Sequence, residues 1–299
     1  MGNKRAIIMP AAILLGIFLP QAHFLSAILP FSIGLMMILT FIEKISPQEH
    51  GVTFKIEAHA FLTSLVLCAA LIGAYYAFGL SKALLLGGLI VCLAPPANAA
   101  PAMTKILGGN PVLALKILIV GHLIACFTIP LIFGYFTGNS GEYFAMSRRI
   151  FNSIQPIISI PLAIALGLRA FYPEIADKVE NYQKYTLYIW CFNVFIIISR
   201  ASYDIRSMGP EQLWRSGVFQ EELVLSAVLC GLLFFLGWFF DRKHHPIEGS
   251  QSMGQKNTML VIWISQAYAG SVAALCPVFY VVWQNIVLSW MSRGKKKKK

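Results

Sequence analysis

Apolar runs about twenty residues long recur along almost the whole of this chain, and charges fall in the gaps between them. A bilayer is crossed by roughly 20 apolar residues of α-helix, whereas a barrel strand needs only about 9–11. The runs are too long for barrel strands, and within lipid an open segment satisfies its own backbone only as a helix. The spacing predicts ten helices, at 6–22, 25–43, 55–78, 81–107, 111–137, 149–171, 183–200, 219–240, 252–274 and 276–292. Composition agrees: of 299 residues 57% are hydrophobic and 12% charged, against roughly 25% charged in soluble domains. A water-soluble enzyme, a disordered chain and a disulfide-rich secreted module are excluded. The expected fold class is an all-α integral membrane protein.

The formal net charge is +11, and the terminal run of five lysines at residues 295–299 supplies much of it. A lysine cluster beside a span belongs on the anionic cytoplasmic leaflet rather than on nucleic acid. An even number of crossings puts both termini on one side. With the termini inside, the inner loops gather Lys4, Arg5, Lys44, Lys55, Lys105, Arg169, Lys178, Lys184, Arg242, Lys243 and Arg293. The outer loops keep Lys82, Arg148, Arg149, Arg200, Arg206 and Arg215. That bias predicts cytoplasmic termini, and the short loops fit a bacterial inner (plasma) membrane. Cys68, Cys92, Cys126, Cys191, Cys230 and Cys276 lie far apart in apolar stretches. Such spacing suits neither a metal knuckle nor a disulfide framework, so they are expected to be buried and reduced. The adjacent His244 and His245 are too few for a metal site. No metal, cofactor or nucleic-acid partner is expected.

Ten spans divide into five plus five. An odd-numbered unit repeated in sequence lies inverted in the membrane, as in many secondary transporters. The expected units are residues 1–140 and 141–294, followed by a poly-lysine tail at 295–299. Their equivalent helices, the fourth and the ninth, are then expected to break near the bilayer midplane. The fourth carries Pro95, Pro96 and Pro101, and each proline removes a donor and clashes with the preceding turn. The ninth opens on a polar string that holds Gln251, Ser252, Gln255, Lys256 and Asn257. Broken backbone at membrane depth persists only where protein buries it or a wet cavity receives it. A kinked, packed helix and an ordinary cytoplasmic loop are the plain alternatives at these two places.

The stretch Val91-Cys-Leu-Ala-Pro-Pro-Ala-Asn-Ala-Ala-Pro-Ala-Met-Thr-Lys-Ile-Leu-Gly-Gly-Asn110 resembles the fourth-helix signature of the bile acid:sodium symporter family. Met253-Gly-Gln-Lys-Asn-Thr-Met-Leu260 is similar to that family's ninth helix, and Pro277 with Trp283-Gln-Asn-Ile286 to its tenth. Residues 28–39 resemble its second. The resemblance implies alternating access by a carrier of bile acids and other organic anions. It also implies a core domain on crossed, broken helices, a separate panel of helices one, two, six and seven, and two sodium ions at the crossing.

Sodium takes hard oxygen ligands, and most of the implied ligand positions are lost. Carried over by position, the fourth-helix Ser-Asn pair becomes Ala100 and Pro101, and the next helix's Ser and Thr become Ala114 and Leu118. The ninth-helix Glu becomes Ser252 and the ninth-helix Gln becomes Lys256, while the third-helix Gln falls near Thr63. No high-affinity sodium site is expected; the Lys256 ammonium stands in for a bound cation. A fixed lysine gives a sodium-independent carrier, and one desolvated enough to titrate gives a proton-coupled one. A lysine that snorkels to the interface gives neither. The residues replacing the cation site are Lys256, Ser252, Gln255, Thr63 and Ala100. The substrate-binding candidates are Asn98, Pro101, His122, Lys256, Asn257, Gln266 and Asn285. Glu57 and His59 are read as interfacial, and Lys116 as snorkelling.

The leading function is secondary active transport of a small organic anion, with protons the candidate coupling ion and sodium not expected. A receptor-like or sensor protein that keeps the fold without coupled transport is the alternative, since loss of ligands can accompany loss of transport. An enzyme is disfavoured, because the acidic and His residues within the spans are scattered rather than convergent.

Overall fold

The computed structural model describes residues 2–43, 50–138, 142–215 and 217–296. The last three lysines of the tail lie outside the described residues. The first half runs α1 (Gly2–Phe18), a 3-10 stretch (Pro20–Ile28) continuing into α2 (Leu29–Phe41), α3 (His50–Phe78), α4 (Lys82–Leu93), α5 (Ala100–Ile106), α6 (Pro111–Thr128) and, past a π turn, α7 (Gly134–Thr137). The second runs α8 (Tyr143–Phe171), α9 (Pro173–Glu180), α10 (Thr186–Met208), α11 (Pro210–Arg215), α12 (Val218–Phe240), α13 (Pro246–Gly254), α14 (Thr258–Tyr268) and α15 (Leu275–Lys296).

Among the described residues six helical segments are long and apolar enough to cross a membrane, or seven if the bent pair Pro173–Tyr185 and Tyr188–Ser207 is one span. The chain is an integral membrane protein. Six or seven is fewer than the ten runs read from sequence, and broken helices account for part of the difference. The apolar halves α4 and α14 have only 12 and 11 residues, and α1 has 17. Phe18, Phe31, Phe78, Phe144, Phe171 and Trp290 are each more than 70% exposed, an outward apolar surface suited to lipid rather than water.

Local chemistry sets the breaks. The Ser81 hydroxyl accepts from the Leu84 amide at 3.1 Å and starts α4. Asn110 accepts from the Val112 and Leu113 amides at 3.0 and 3.1 Å; with Pro111 next to it, α6 begins there. Pro130 is absorbed by a π turn at Ile129–Phe133, so the span continues to Thr137.

Two packed groups result. Helix α1 lies on α10, and α2 on both α8 and α10. Around the breaks, α3, α4, α6, α12, α13 and α15 pack together. Helix α13 is pressed against α12 by a glycine pair: a Cβ on Gly237 would come within 3.0 Å of the Ser250 Cα and nearer still to the Gly249 carbonyl. The six cysteines are buried, and none of them is joined in a disulfide.

Just past α12, the Asp241 carboxylate meets His59 Nδ1 at 3.1 Å. Burial pushes the Asp241 carboxyl above its ordinary range, against the pull of His59. The folded state therefore holds this proton more tightly than the unfolded chain. The associated stability is full below the unfolded value and is lost as pH rises through the folded one. Asp241→Asn is expected to flatten that slope. Melting temperature followed from about pH 4 to 7, the range bracketing a raised carboxyl, should fall less in the variant than in the parent.

Candidate functional site

The two breaks meet. Helix α4 stops at Leu93, and Pro95 and Pro96 have no amide with which to resume it. Helix α13 stops at Gly254, whose carbonyl accepts from the Tyr280 hydroxyl at 2.8 Å. The extended pieces then pair antiparallel at Pro96 and Lys256. The Ala97 amide donates to Gln255 O at 2.7 Å, and the Asn257 amide to Pro95 O at 2.8 Å. Gly121 of α6 permits the close approach, since a Cβ there would stand 2.6 Å from Pro96 Cδ.

Lys256 sits at the centre, 4% exposed. Its Nζ donates to Ala94 O at 2.9 Å and to Cys92 O at 3.5 Å, carbonyls at the C-terminal end of α4, where the helix dipole attracts a cation. Its backbone amide donates to Gln284 Oε1 of α15 at 2.8 Å. Asn257 caps α14 through Leu260 N at 3.4 Å, while its amide nitrogen donates to His122 Nε2 at 3.0 Å. His122, fully buried, has its Nδ1 at 2.8 Å from Leu118 O. A carbonyl can only accept, so the proton is on Nδ1 and Nε2 is free to accept from Asn257.

Beside Lys256 is a cavity of about 40 Å³ lined by Glu57, Ser64, Ala94, Pro96, Ser252 and other residues of α3, α4 and α6. One water needs about 10–15 Å³, so it has room for two or three. Glu57 is 5% exposed, and its Oε1 accepts from the Ser252 hydroxyl at 3.4 Å. The interfacial reading of Glu57 is therefore corrected. Helix phase is the reason: Glu57, Ala60, Phe61 and Ser64 recur at three- and four-residue intervals and turn one face of α3 to the cavity. Lys116 is likewise buried rather than snorkelling, at 7% exposed.

The remaining candidates scatter. Asn98 is buried beside the crossing strand, and neither atom of its amide has a hydrogen-bond partner. Gln255 is buried with an unpartnered Oε1. Ala100 and Pro101 are buried in the first turn of α5. Thr63 is buried off the cavity face of α3, and its neighbour Ser64 lines the cavity instead. Gln266 is half-buried with an unpartnered Nε2, and Asn285 turns back to Val281 O of its own helix at 2.6 Å. Glu57 and Gln284 are the polar groups that sequence reasoning missed. The three- and four-residue apolar spacing that continues from Glu57 was the available signal for the first; nothing distinguished Gln284 from Asn285.

The sodium bile acid symporter family matches the chain over residues 62–207, a stretch that contains the fourth-span signature at 91–110 but ends before Lys256. Over 188 residues the chain is 30% identical to the probable sodium/metabolite cotransporter BASS4, chloroplastic, of Arabidopsis thaliana. The aligned part is 60% of this chain and 40% of that relative, so the chain spans well under half of the relative's length.

Proposed function

We propose that this chain, similar to the sodium bile acid symporters, is a ten-span secondary transporter of a small organic anion that does without sodium. The observation that carries the reading is the buried Lys256 ammonium on Ala94 O and Cys92 O at the crossing of two broken helices. An ammonium tethered there does electrostatically what a bound cation would do, and its release and uptake of a proton couple transport to the proton gradient. The group α1, α2, α8 and α10 serves as the panel against which the crossed-helix core rocks, and the halves of the chain are the inverted repeats. Asn98, with an unpartnered buried amide, is the leading substrate contact. Pro101, His122 and Asn257 shape the same region. The charge bias supports cytoplasmic termini, the short loops suit a bacterial inner membrane, and protons are the coupling ion.

The test is a melting-temperature screen of the detergent-solubilised protein against small carboxylates and sulfonates, in sodium and in choline chloride. A ligand that binds only the folded state raises its stability. The expected result is an anion that stabilises equally in both salts and, in proteoliposomes without sodium, is accumulated under an inward proton gradient. Asn98→Ala should weaken its binding about tenfold, the loss of one hydrogen bond of roughly 1–1.5 kcal/mol. A stabilising effect that requires sodium overturns the sodium-free reading, and binding without accumulation favours a receptor.

A further inference from the structure

The oxygens around Lys256 have the composition of a cation site. Two backbone carbonyls, Ala94 O and Cys92 O, already accept from Nζ. A carboxylate, Glu57, and a hydroxyl, Ser252, lie along the adjoining cavity and are hydrogen-bonded to each other. Carbonyl, carboxylate and hydroxyl oxygens are the hard ligands that small group I and II cations select. Ser252 occupies the position where the resembled ninth-helix motif has its Glu, and the carboxylate that touches it comes from α3 instead. We infer that these oxygens form a monovalent-cation site whose occupant is the chain's own ammonium, with the carboxylate ligand transferred from the ninth span to Glu57.

Charge bookkeeping supports the inference. Glu57 and Lys256 balance one another across a buried cavity. A free cation added to them would be an uncompensated positive charge, and the carbonyls it needs are already engaged. In Lys256→Ala the same site carries an uncompensated carboxylate, two unpaired carbonyls and the space vacated by three methylenes and the ammonium. A buried carboxylate in that state is neutralised either by taking up a proton or by binding a cation that fits, and the salts distinguish the two. Lys256 thus makes sodium independence a property of one side chain, because the carbonyls, the carboxylate and the hydroxyl all belong to other residues.

The proposal rests on the reading of Lys256 as a cation substitute, but its test needs no substrate. Lys256→Ala and the volume-keeping Lys256→Gln are purified in detergent and melted in sodium, ammonium and choline chloride at equal ionic strength. The parent protein is expected to melt alike in all three. Both variants should melt about 3 °C higher in sodium or ammonium than in choline when the salt is about ten times its Kd. Glu57→Gln added to Lys256→Gln should abolish the difference. Recovery of either variant only from sodium or ammonium buffers would also support the site. Two variants that melt identically in all salts, or that fold in none of them, overturn it. So does a sodium response in the parent. Uptake of an anion is unaffected by these outcomes, so the transport reading stands or falls separately.

Discussion

Gly121→Val should unseat the crossing of the two broken helices. A Cβ at this position falls 2.6 Å from Pro96 Cδ, 3.2 Å from Pro96 Cγ and 3.3 Å from Glu57 Oε1. The two nearest belong to a proline ring and not to the loose end of a flexible side chain. The proline ring is held by the two backbone hydrogen bonds that flank it on the crossing strand, and Glu57 by Ser252. Overpacking of a filled interior costs roughly 1–3 kcal/mol, and the β-branched side chain puts the variant at or above the top of that range. For a chain this long, 3 kcal/mol corresponds to a fall in melting temperature of about 6–12 °C. Substrate stabilisation should disappear with it, because the valine displaces the strand that carries Asn98 and faces Lys256. Gly73→Ala in α3 is the control: nothing lies within 4 Å of the added Cβ, and glycine in a helix interior is less favourable than alanine by about 1 kcal/mol. The control should melt no lower than the parent. A Gly121→Val protein as stable as the control would mean that the two breaks do not meet against α6.

The place of that crossing was legible in the sequence where backbone chemistry decides it. Pro95 and Pro96 have no amides to carry α4 onward, Pro101 falls in the first turn of the next helix, where a missing amide costs nothing, and the polar string ahead of an apolar run marked the second break. Lys256 and His122 stood out as a charged and an imidazole group amid apolar residues, and Asn257 as the end of the polar string, without knowledge of orientation. What was not legible is phase. Glu57 and His59 are two residues apart on one helix; one enters the core of the site, and the other turns to Asp241 at 3.1 Å. Thr63 and Ser64 differ by a single position, and Ser64 faces the cavity. Gln284 rather than Asn285 reaches Lys256 for the same reason. The half-helix Pro246–Gly254 was hidden differently. Its polar residues Glu248, Ser250, Gln251 and Ser252 have the composition of a loop, yet all are buried. Hydropathy measures the side chains and not what covers them, so a polar helix enclosed by protein reads like a solvated turn.

Asn257→Ala is the second large loss, and it separates local from shared energy. Asn257 does two things at once. Its Oδ1 accepts from Leu260 N and caps α14, and its Nδ2 donates to His122 Nε2 at 3.0 Å. Loss of a side-chain cap costs about 1 kcal/mol. Leaving the buried His122 nitrogen without a donor adds about 1–3 kcal/mol, for a total of roughly 2–4 kcal/mol. His122→Ala leaves the amide of Asn257 unpaired in turn and creates a cavity as well. The two residues share one hydrogen bond, so removing both cannot forfeit it twice. A double-mutant cycle is therefore expected to be non-additive by about 1–2 kcal/mol, well outside the 0.3–0.5 kcal/mol seen for independent sites. Additivity would show that the His122–Asn257 contact contributes nothing of its own. Non-additivity would tie α6 to the start of α14 through a bond buried beside Lys256. A movement of α14 against α6 during transport would then have to break it. Substrate-induced protection of the Leu260 amide from hydrogen exchange, present in the parent and absent in Asn257→Ala, would reveal that coupling without any measurement of flux.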